Sequence, residues 1–376
     1  MNEPSLSLHE TDDVESQDSF DLEREDLRIA DLDTRIHNLR AFRANICQSR
    51  NRHIQINSLP VEVLSEMFVL GQAATQEEKA PYQPTIFPLT LGSVCRQWRY
   101  IAWSLSELWA DVHCRLSKSR CDAQALLLRQ WLERSQQRPL SICISSKDEE
   151  AWTGSTAVST AIPDAIIPHS ERWVQLALIL PEAWYCQLDQ VQGKVPNLIS
   201  LSIRSPNSQP LSLSFGTFAH TASIRNLFAS YFHLANIHLR WDLLETVVLQ
   251  GFTTNEAIDI ICRCQNMVSC RFDELGALEH TVTQIAVNAS LQELSISTDE
   301  WADLDDFLDR IFLPGLSDLT LTLPEGHHHP IPIIQSLVIR SVCPLKRVGI
   351  TGVEIAEEDL VEFLLDNDSV TTIRVN

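Results

Sequence analysis

The chain's 376 residues, 44% hydrophobic and 21% charged, suffice for two or three folded units and are too apolar for wholesale disorder. With 29 Lys and Arg against 50 Asp and Glu the formal charge is -21, which repels phosphate backbones and anionic lipid and favours a basic or neutral protein as partner. Only 11 glycines leave little material for loops that bring backbone amides to a nucleotide's phosphates.

The opening residues MNEPSLSLHETDDVESQD are acidic where a secretory leader is basic and then apolar, and no apolar run approaches the ~18 residues of a membrane span. A cytoplasmic or nuclear protein is expected, its ten cysteines reduced. The glycosylation acceptor patterns at Asn288 and Asn367 then carry no weight.

Residues 1–33 hold 12 acids against Arg24 and Arg28, and residues 1–20 are expected to be disordered. Over 21–55 a helix is expected: Leu22, Ile29 and Ile36 hold one heptad position and Leu32, Leu39 and Ile46 another, with Glu25 and Arg43 interrupting the seam. Such a stripe suits either packing against its own chain, with a monomer outside any complex, or a coiled-coil dimer. Residues 34–55 carry five Arg and no acid, a positive segment able to pair with the acidic one before it.

Pro60 then opens a helix whose apolar face is Val63, Leu64, Met67 and Phe68. Gly71, Pro81, Pro84 and Pro88 mark a loop over 71–88. A second helix carries Leu91, Val94, Cys95, Trp98, Ile101 and Ala102, and a capping box from Ser104 to Glu107 opens a short third through Leu108 and Trp109.

The phrases Leu59-Pro-x-Glu-x-Leu, Val94-Cys-Arg-x-Trp-Arg and Leu108-Trp, in that order, resemble the F-box of the large fungal F-box families, with a longer loop at 71–88. The helix at Trp131-Leu-Glu-Arg-Ser and the strand at Pro139-Leu-Ser-Ile are similar to that family too. The resemblance implies a three-helix module over 56–113 that docks on the Skp-type adaptor of a cullin-RING ubiquitin ligase. Leu59, Pro60, Glu62, Leu64, Phe68, Val94, Cys95, Trp98 and Trp109 would supply the contacts. Periodicity alone gives only a small helical domain with many aromatics on one face. Residues 114–169 read as a linker whose helix at 122–135, through Leu126, Trp131 and Leu132, caps the domain that follows.

Over 170–376 the phrase apolar-x-x-apolar-x-apolar recurs, starting at 173, 198, 224, 244, 267, 291, 316, 345 and 370. Steps of 20 to 29 residues between starts match leucine-rich repeats, one short strand and a helical return per unit. The family's usual Asn or Cys eight residues after the first apolar position is absent: Pro206, Phe252, Leu275, Asp299, Pro324 and Val353 stand there. Irregular repeats are expected, held by other contacts than an Asn ladder.

No catalytic spacing is found, so no enzyme and no cofactor are expected. His327 to His329, adjacent and followed by Pro330, read as a solvated turn, and Cys262, Cys264 and Cys270 as core packing. The fold expected is α+β multidomain, a three-helix F-box module followed by an irregular α/β leucine-rich-repeat solenoid. By resemblance the chain would be the substrate-recognition subunit of an SCF-type ligase; a scaffold that uses its repeats without any adaptor is the reading from a different class. Between the apolar positions of the phrase, side chains point outward, which nominates Arg204, Glu245, Arg271, Glu293, Asp318, Lys346, Arg347 and Arg374 for a target protein. Arg271, and the group Lys346, Arg347 and Arg374, would suit an acidic or phosphorylated segment, and the acids between 293 and 309 a basic one; the bland alternative is solvated charge.

Overall fold

The computed structural model describes residues 12–77, 86–146, 159–180, 182–205, 214–278, 285–326 and 329–375. The chain divides into two compact units, Met1–Gly71 with Leu89–Trp103, and Gln72–Pro88 with Ser104–Asn376. No helix among the described residues is long and apolar enough to cross a membrane.

The first unit is helical. Its α1, Asp12–Arg52, starts well before residue 21; the part of the expected disordered start over 1–11 lies outside the described residues. The apolar stripe of α1 does not pack on its own chain, because Ile29, Leu32, Ile36, Leu39 and Ile46 are all exposed. A 3-10 turn, Gln55–Ser58, leads to α2, Val61–Glu77. That helix runs through Gly71, where a loop was expected. One glycine costs a helix about 1 kcal/mol, which burial of Leu64 and Phe68 on a single face offsets.

The expected second helix is two, α3 over Phe87–Val94 and α4 over Arg96–Ser104. The break at Cys95 is built by side chains. The Cys95 sulfur accepts from the Trp98 backbone N–H at 3.4 Å, while Arg99 Nε donates to the Gly92 carbonyl at 2.7 Å, so orphan groups at both helix ends find partners. Gly92 leaves room for the Trp103 ring, which a Cβ there would displace. The expected short third helix is a 3-10 turn, Ser106–Trp109, whose N-cap position is Leu105 rather than Ser104, and Glu107 pairs with Arg138.

The second unit is a parallel sheet with helical returns. Its strands and helices in chain order are β1 (Asp111–Leu116), α5 (Cys121–Arg134), β2 (Leu140–Ser146), α6 (Ala161–Ile166), β3 (Trp173–Ile179), α7 (Glu182–Tyr185), β4 (Ser200–Arg204), β5 (Asn226–Ser230), β6 (Thr246–Gln250), α8 (Thr254–Arg263), β7 (Ser269–Asp273), β8 (Ala286–Val287), β9 (Glu293–Ser297), α9 (Trp301–Leu308), β10 (Ile311–Phe312), β11 (Asp318–Gly326), α10 (Pro330–Ser341), β12 (Arg347–Val353), α11 (Glu357–Asp366) and β13 (Thr372–Val375). Eleven strands form one sheet in the order β1-β2-β3-β4-β5-β6-β7-β9-β11-β12-β13, and β10 pairs with β8 in a small second one. Each strand of the large sheet lies parallel beside the next repeat's strand, as a stacked succession of strand and return requires.

The array begins at Asp111, not near 170. The described parts of 114–169, residues 114–146 and 159–169, therefore belong to two further repeats built on β1 and β2 rather than to a linker and cap, with α5 the return of the first. Of that helix's expected capping residues, Leu132 is buried and Leu126 is exposed. Trp109-x-x-Val112-x-Cys114 is the repeat phrase itself, two repeats before the first one recognised from sequence.

In every copy from Trp173 to Ile350 all three apolar residues are buried, and the register stacks them in columns. Leu176, Leu201, Leu227, Val247, Cys270, Leu294, Leu319 and Val348 follow one another across the sheet. In the last copy Val375 is exposed on the edge strand. What replaces the missing Asn is a left-handed turn. Tyr231, Gly251, Glu274 and Gly352 each have positive φ at the strand exit, and the next residue, Phe232, Phe252, Leu275 or Val353, turns into the core. Backbone bonds from Tyr231 to Gln250, Gly251 to Asp273 and Leu275 to Ser297, at 2.8 to 3.0 Å, carry the ladder past the strand ends.

Candidate functional site

On α2 the apolar side chains form two faces. Leu64 and Phe68 point inward, and the Phe68 ring lies 4.9 Å from that of Trp98 at an interplanar angle of 56°. The Trp98 indole N–H donates to Asn57 Oδ1 at 2.8 Å, which ties α4 to the 3-10 turn before α2. Pro60, Val63, Met67 and Leu70 are exposed, and steps of three, four and three residues align them along the helix. A row of this kind left in water marks an interaction surface.

The nine residues expected to contact an adaptor separate accordingly. Pro60, Glu62 and Val94 are exposed; Leu59, Cys95 and Trp98 are half-buried; Leu64, Phe68 and Trp109 are buried. The last three are corrected to core positions. Leu64 and Phe68 hold α2 in place. Trp109 belongs to the second unit, where its ring meets Trp131 edge-on at 4.6 Å and the Arg134 guanidinium lies 4.7 Å from its centroid. Val63, Met67 and Leu70 were missed as surface. The signal was present: Val61, Val63, Leu64, Met67, Phe68 and Leu70 span more of the helix circumference than one buried stripe occupies.

The outward face of the sheet is dominated by small polar side chains, in rows such as Ser200, Asn226, Thr246 and Ser269. Glu293, Asp318 and Arg347 continue that row on adjacent strands. Most of the nominated charges there are already matched. Arg347 pairs with Asp318, Arg271 with Asp273 at 2.8 Å and Glu245 with Arg225 at 3.4 Å. Arg204 is half-buried at the end of β4. Glu293, Lys346 and Arg374 are exposed and make no ion pair among the described residues.

Arg271 stands apart from the group Lys346, Arg347 and Arg374, with β9 and β11 between them. One grouping expected from sequence is corrected. The acids after Glu293 lie around α9, in the helical layer rather than on the strand face: Asp306 pairs with Arg310, Asp309 pairs with Arg340, and burial raises the pKa of Asp303. A polar chain that the sequence did not announce crosses the strand exits. Ser230 Oγ donates to Gln250 Oε1 at 2.9 Å, Gln250 Nε2 to Glu274 Oε1 at 2.8 Å and Tyr231 O–H to Glu274 Oε2 at 2.5 Å.

Cys264 and Cys270 are buried, and burial pushes the Cys264 thiol up to about 12, so they pack as apolar groups. Among the described residues no three His, Cys, Asp or Glu side chains are grouped as metal ligands. His327 and His328 lie outside the described residues; His329 sits 3.5 Å from Asp359.

No family model matches the chain, and no curated protein matches it. Among solved structures it is similar to a chain from the complex of Rad7 and Elc1 in yeast, with a TM-score of 0.37 and 12% identity over 88% of this chain and 94% of that one. It is also similar to a Bacteroides fragilis protein, with a TM-score of 0.33 and 11% identity over 70% of this chain and 73% of that one. Both scores are below 0.5, and neither likeness bears on what the chain does.

Proposed function

We propose that the chain is the substrate-recognition subunit of an SCF-type cullin-RING ubiquitin ligase. The exposed row Pro60, Val63, Met67 and Leu70, with Leu59, Glu62 and Val94, takes the Skp-type adaptor, and the strand face of the sheet holds the target protein. The observation that carries this is a coincidence on one helix: the phrase resembling the F-box opening leads from Leu59 into α2, and α2 presents an exposed apolar row beyond its core face. Ubiquitin transfer falls to other subunits, and the chain contributes proximity alone, without a cofactor. Its place is the cytoplasm or nucleus.

Capture of the full chain by a purified Skp-type adaptor tests the reading. Apolar anchors at interfaces often contribute 2 kcal/mol or more, roughly 30-fold in affinity. Val63→Glu with Met67→Glu should remove at least that much while leaving the melting curve unchanged, since both side chains are exposed. A parent chain that ignores the adaptor sinks the ligase assignment and leaves the adaptor-free scaffold standing.

The target face has its own expected result. Lys346→Glu with Arg374→Glu should deplete the targets recovered by proximity labelling and spare adaptor capture, because these two exposed cations make no ion pair among the described residues. Arg347→Glu is the poorer probe, as it also breaks the pair with Asp318. An unchanged target list removes this end of the sheet from the binding surface.

A further inference from the structure

We propose that α1 pairs with α1 of a second copy of this chain in an antiparallel coiled coil. The helix has 41 residues, about 60 Å at 1.5 Å per residue. Its seam residues Ile29, Leu32, Ile36, Leu39 and Ile46 are 44 to 67% exposed. Helices are stabilised mainly by packing an apolar face, and among the described residues nothing covers this one.

The charges on the seam choose both the occupant and the direction. Glu25 and Arg43 interrupt the apolar positions. In a parallel pair each faces its own copy, acid on acid and arginine on arginine, and both contacts repel. Glu25 and Arg43 stand at equal distances from Thr34. Turned antiparallel about a two-fold at Thr34, the seam sets Leu32 against Ile36, Ile29 against Leu39 and Glu25 against Arg43, each twice. Glu25, already held by Arg28 at 2.8 Å, gains Arg43 as a second partner, and Arg43 gains Glu25. On the flank Asp26 approaches Arg40.

The rest of the helix agrees. The acids of α1 all precede residue 34, and five arginines from Arg35 to Arg52 follow it, so the acidic half of each copy runs along the basic half of the other. The helix dipole favours that gradient within one helix, but it does not place Glu25 and Arg43 symmetrically. At the two-fold, Asp33 meets its copy on one flank and Arg35 its copy on the other. Arg35 is already held by Asp31 at 2.9 Å, which softens the second contact. The dimer presents two strand faces at once, so a target with two docking segments gains from effective concentration. None of this depends on the ligase reading.

Sedimentation equilibrium of the full chain should show a dimer at micromolar concentration. Glu25→Arg alone and Arg43→Glu alone should each weaken it at least ~10-fold, because either change sets two like pairs in the seam, and the double exchange should restore it. A parallel pair would keep its affinity in both single variants, where like faces like as before. With the exposed Cys186 replaced by Ser, spin labels on the exposed Cys47 should stand about 39 Å apart at 1.5 Å per residue, against less than about 15 Å in a parallel pair. A monomer, a short label distance, or a dimer indifferent to the single reversals each overturns the proposal.

Discussion

Trp109→Ala is expected to destabilise the second unit by about 3–5 kcal/mol, the range for truncating a large buried aromatic. Trp109 is 0% exposed. Its ring is held edge-on by Trp131 and covered by Arg134. It occupies the first apolar position of the first repeat, one residue before Ala110, whose carbonyl accepts from the Ser141 N–H of β2 at 3.0 Å. The cavity would open under β1, an edge of the sheet with a neighbour on one side only. A urea titration should show the midpoint falling sharply, while Trp109→Phe should lose less because it keeps part of the ring stack. The same variant separates two roles for this residue. As a core residue, its loss should reduce adaptor capture only in proportion to the unfolded fraction; a fully folded Trp109→Ala chain that no longer captures adaptor would return it to the interface.

Trp109 also shows why part of the fold was illegible. Its phrase, Trp109-x-x-Val112-x-Cys114, has the repeat spacing, but the same tryptophan completes the F-box-like series, and assigning it there hid the first strand. The second strand escaped for a geometric reason. Its Leu140-x-Ile142-x-Ile144 lacks the two-residue gap of the later copies, because the register shifts between Leu140 and Ser141 opposite Trp173 and Gln175. From β3 onward the phrase was plain in the sequence, since a strand buried on one face repeats every second residue whatever its return does.

The site was legible only as a neighbourhood. Sequence brought attention to α2, but apolar residues on a helix do not declare which of two faces is inward, and Leu64 and Phe68 were chosen where Val63 and Met67 are exposed. On the sheet, alternation identified outward positions correctly for Arg271 and Arg347, yet it carries no information about partners across strands. Pairs such as Arg347 with Asp318 are separated by a whole repeat. Left-handed exits at Tyr231 and Glu274 were equally hidden, because neither residue type advertises that conformation as glycine does.

Asn288→Ala is expected to cost about 4 kcal/mol, from a position that sequence offered only as an acceptor pattern for glycosylation. The side chain is 0% exposed, out of reach of any modifying enzyme in the folded chain. Its Nδ2 donates to the Cys264 carbonyl at 2.8 Å and to the Ile261 carbonyl at 3.2 Å, capping the end of α8. Its Oδ1 accepts from the backbone N–H groups of Ser290 and Leu291, both at 3.0 Å, at the approach to β9. One amide thus joins a return to the next strand's entry and satisfies four backbone groups. Truncation orphans the Ser290 and Leu291 N–H groups and the Ile261 carbonyl, while the Cys264 carbonyl keeps the Met267 N–H at 3.0 Å; each buried group without a partner costs ~1–3 kcal/mol, less where water can enter. Asn288→Asp is the sharper control. It keeps the acceptor but loses both donors and faces a carboxylate with two carbonyls, so burial and hydrogen-bond loss raise its pKa above the unfolded value of about 3.9. A group whose folded pKa is raised binds its proton more tightly in the folded state. The stability deficit relative to the parent should therefore be smallest below about pH 4 and grow as pH rises through the folded pKa, because the protonated acid can still donate one bond. Urea midpoints for parent and both variants across that range check the sign. A loss under about 1 kcal/mol for Asn288→Ala would mean that water replaces the amide, and the cap would then not be what holds α8 to β9.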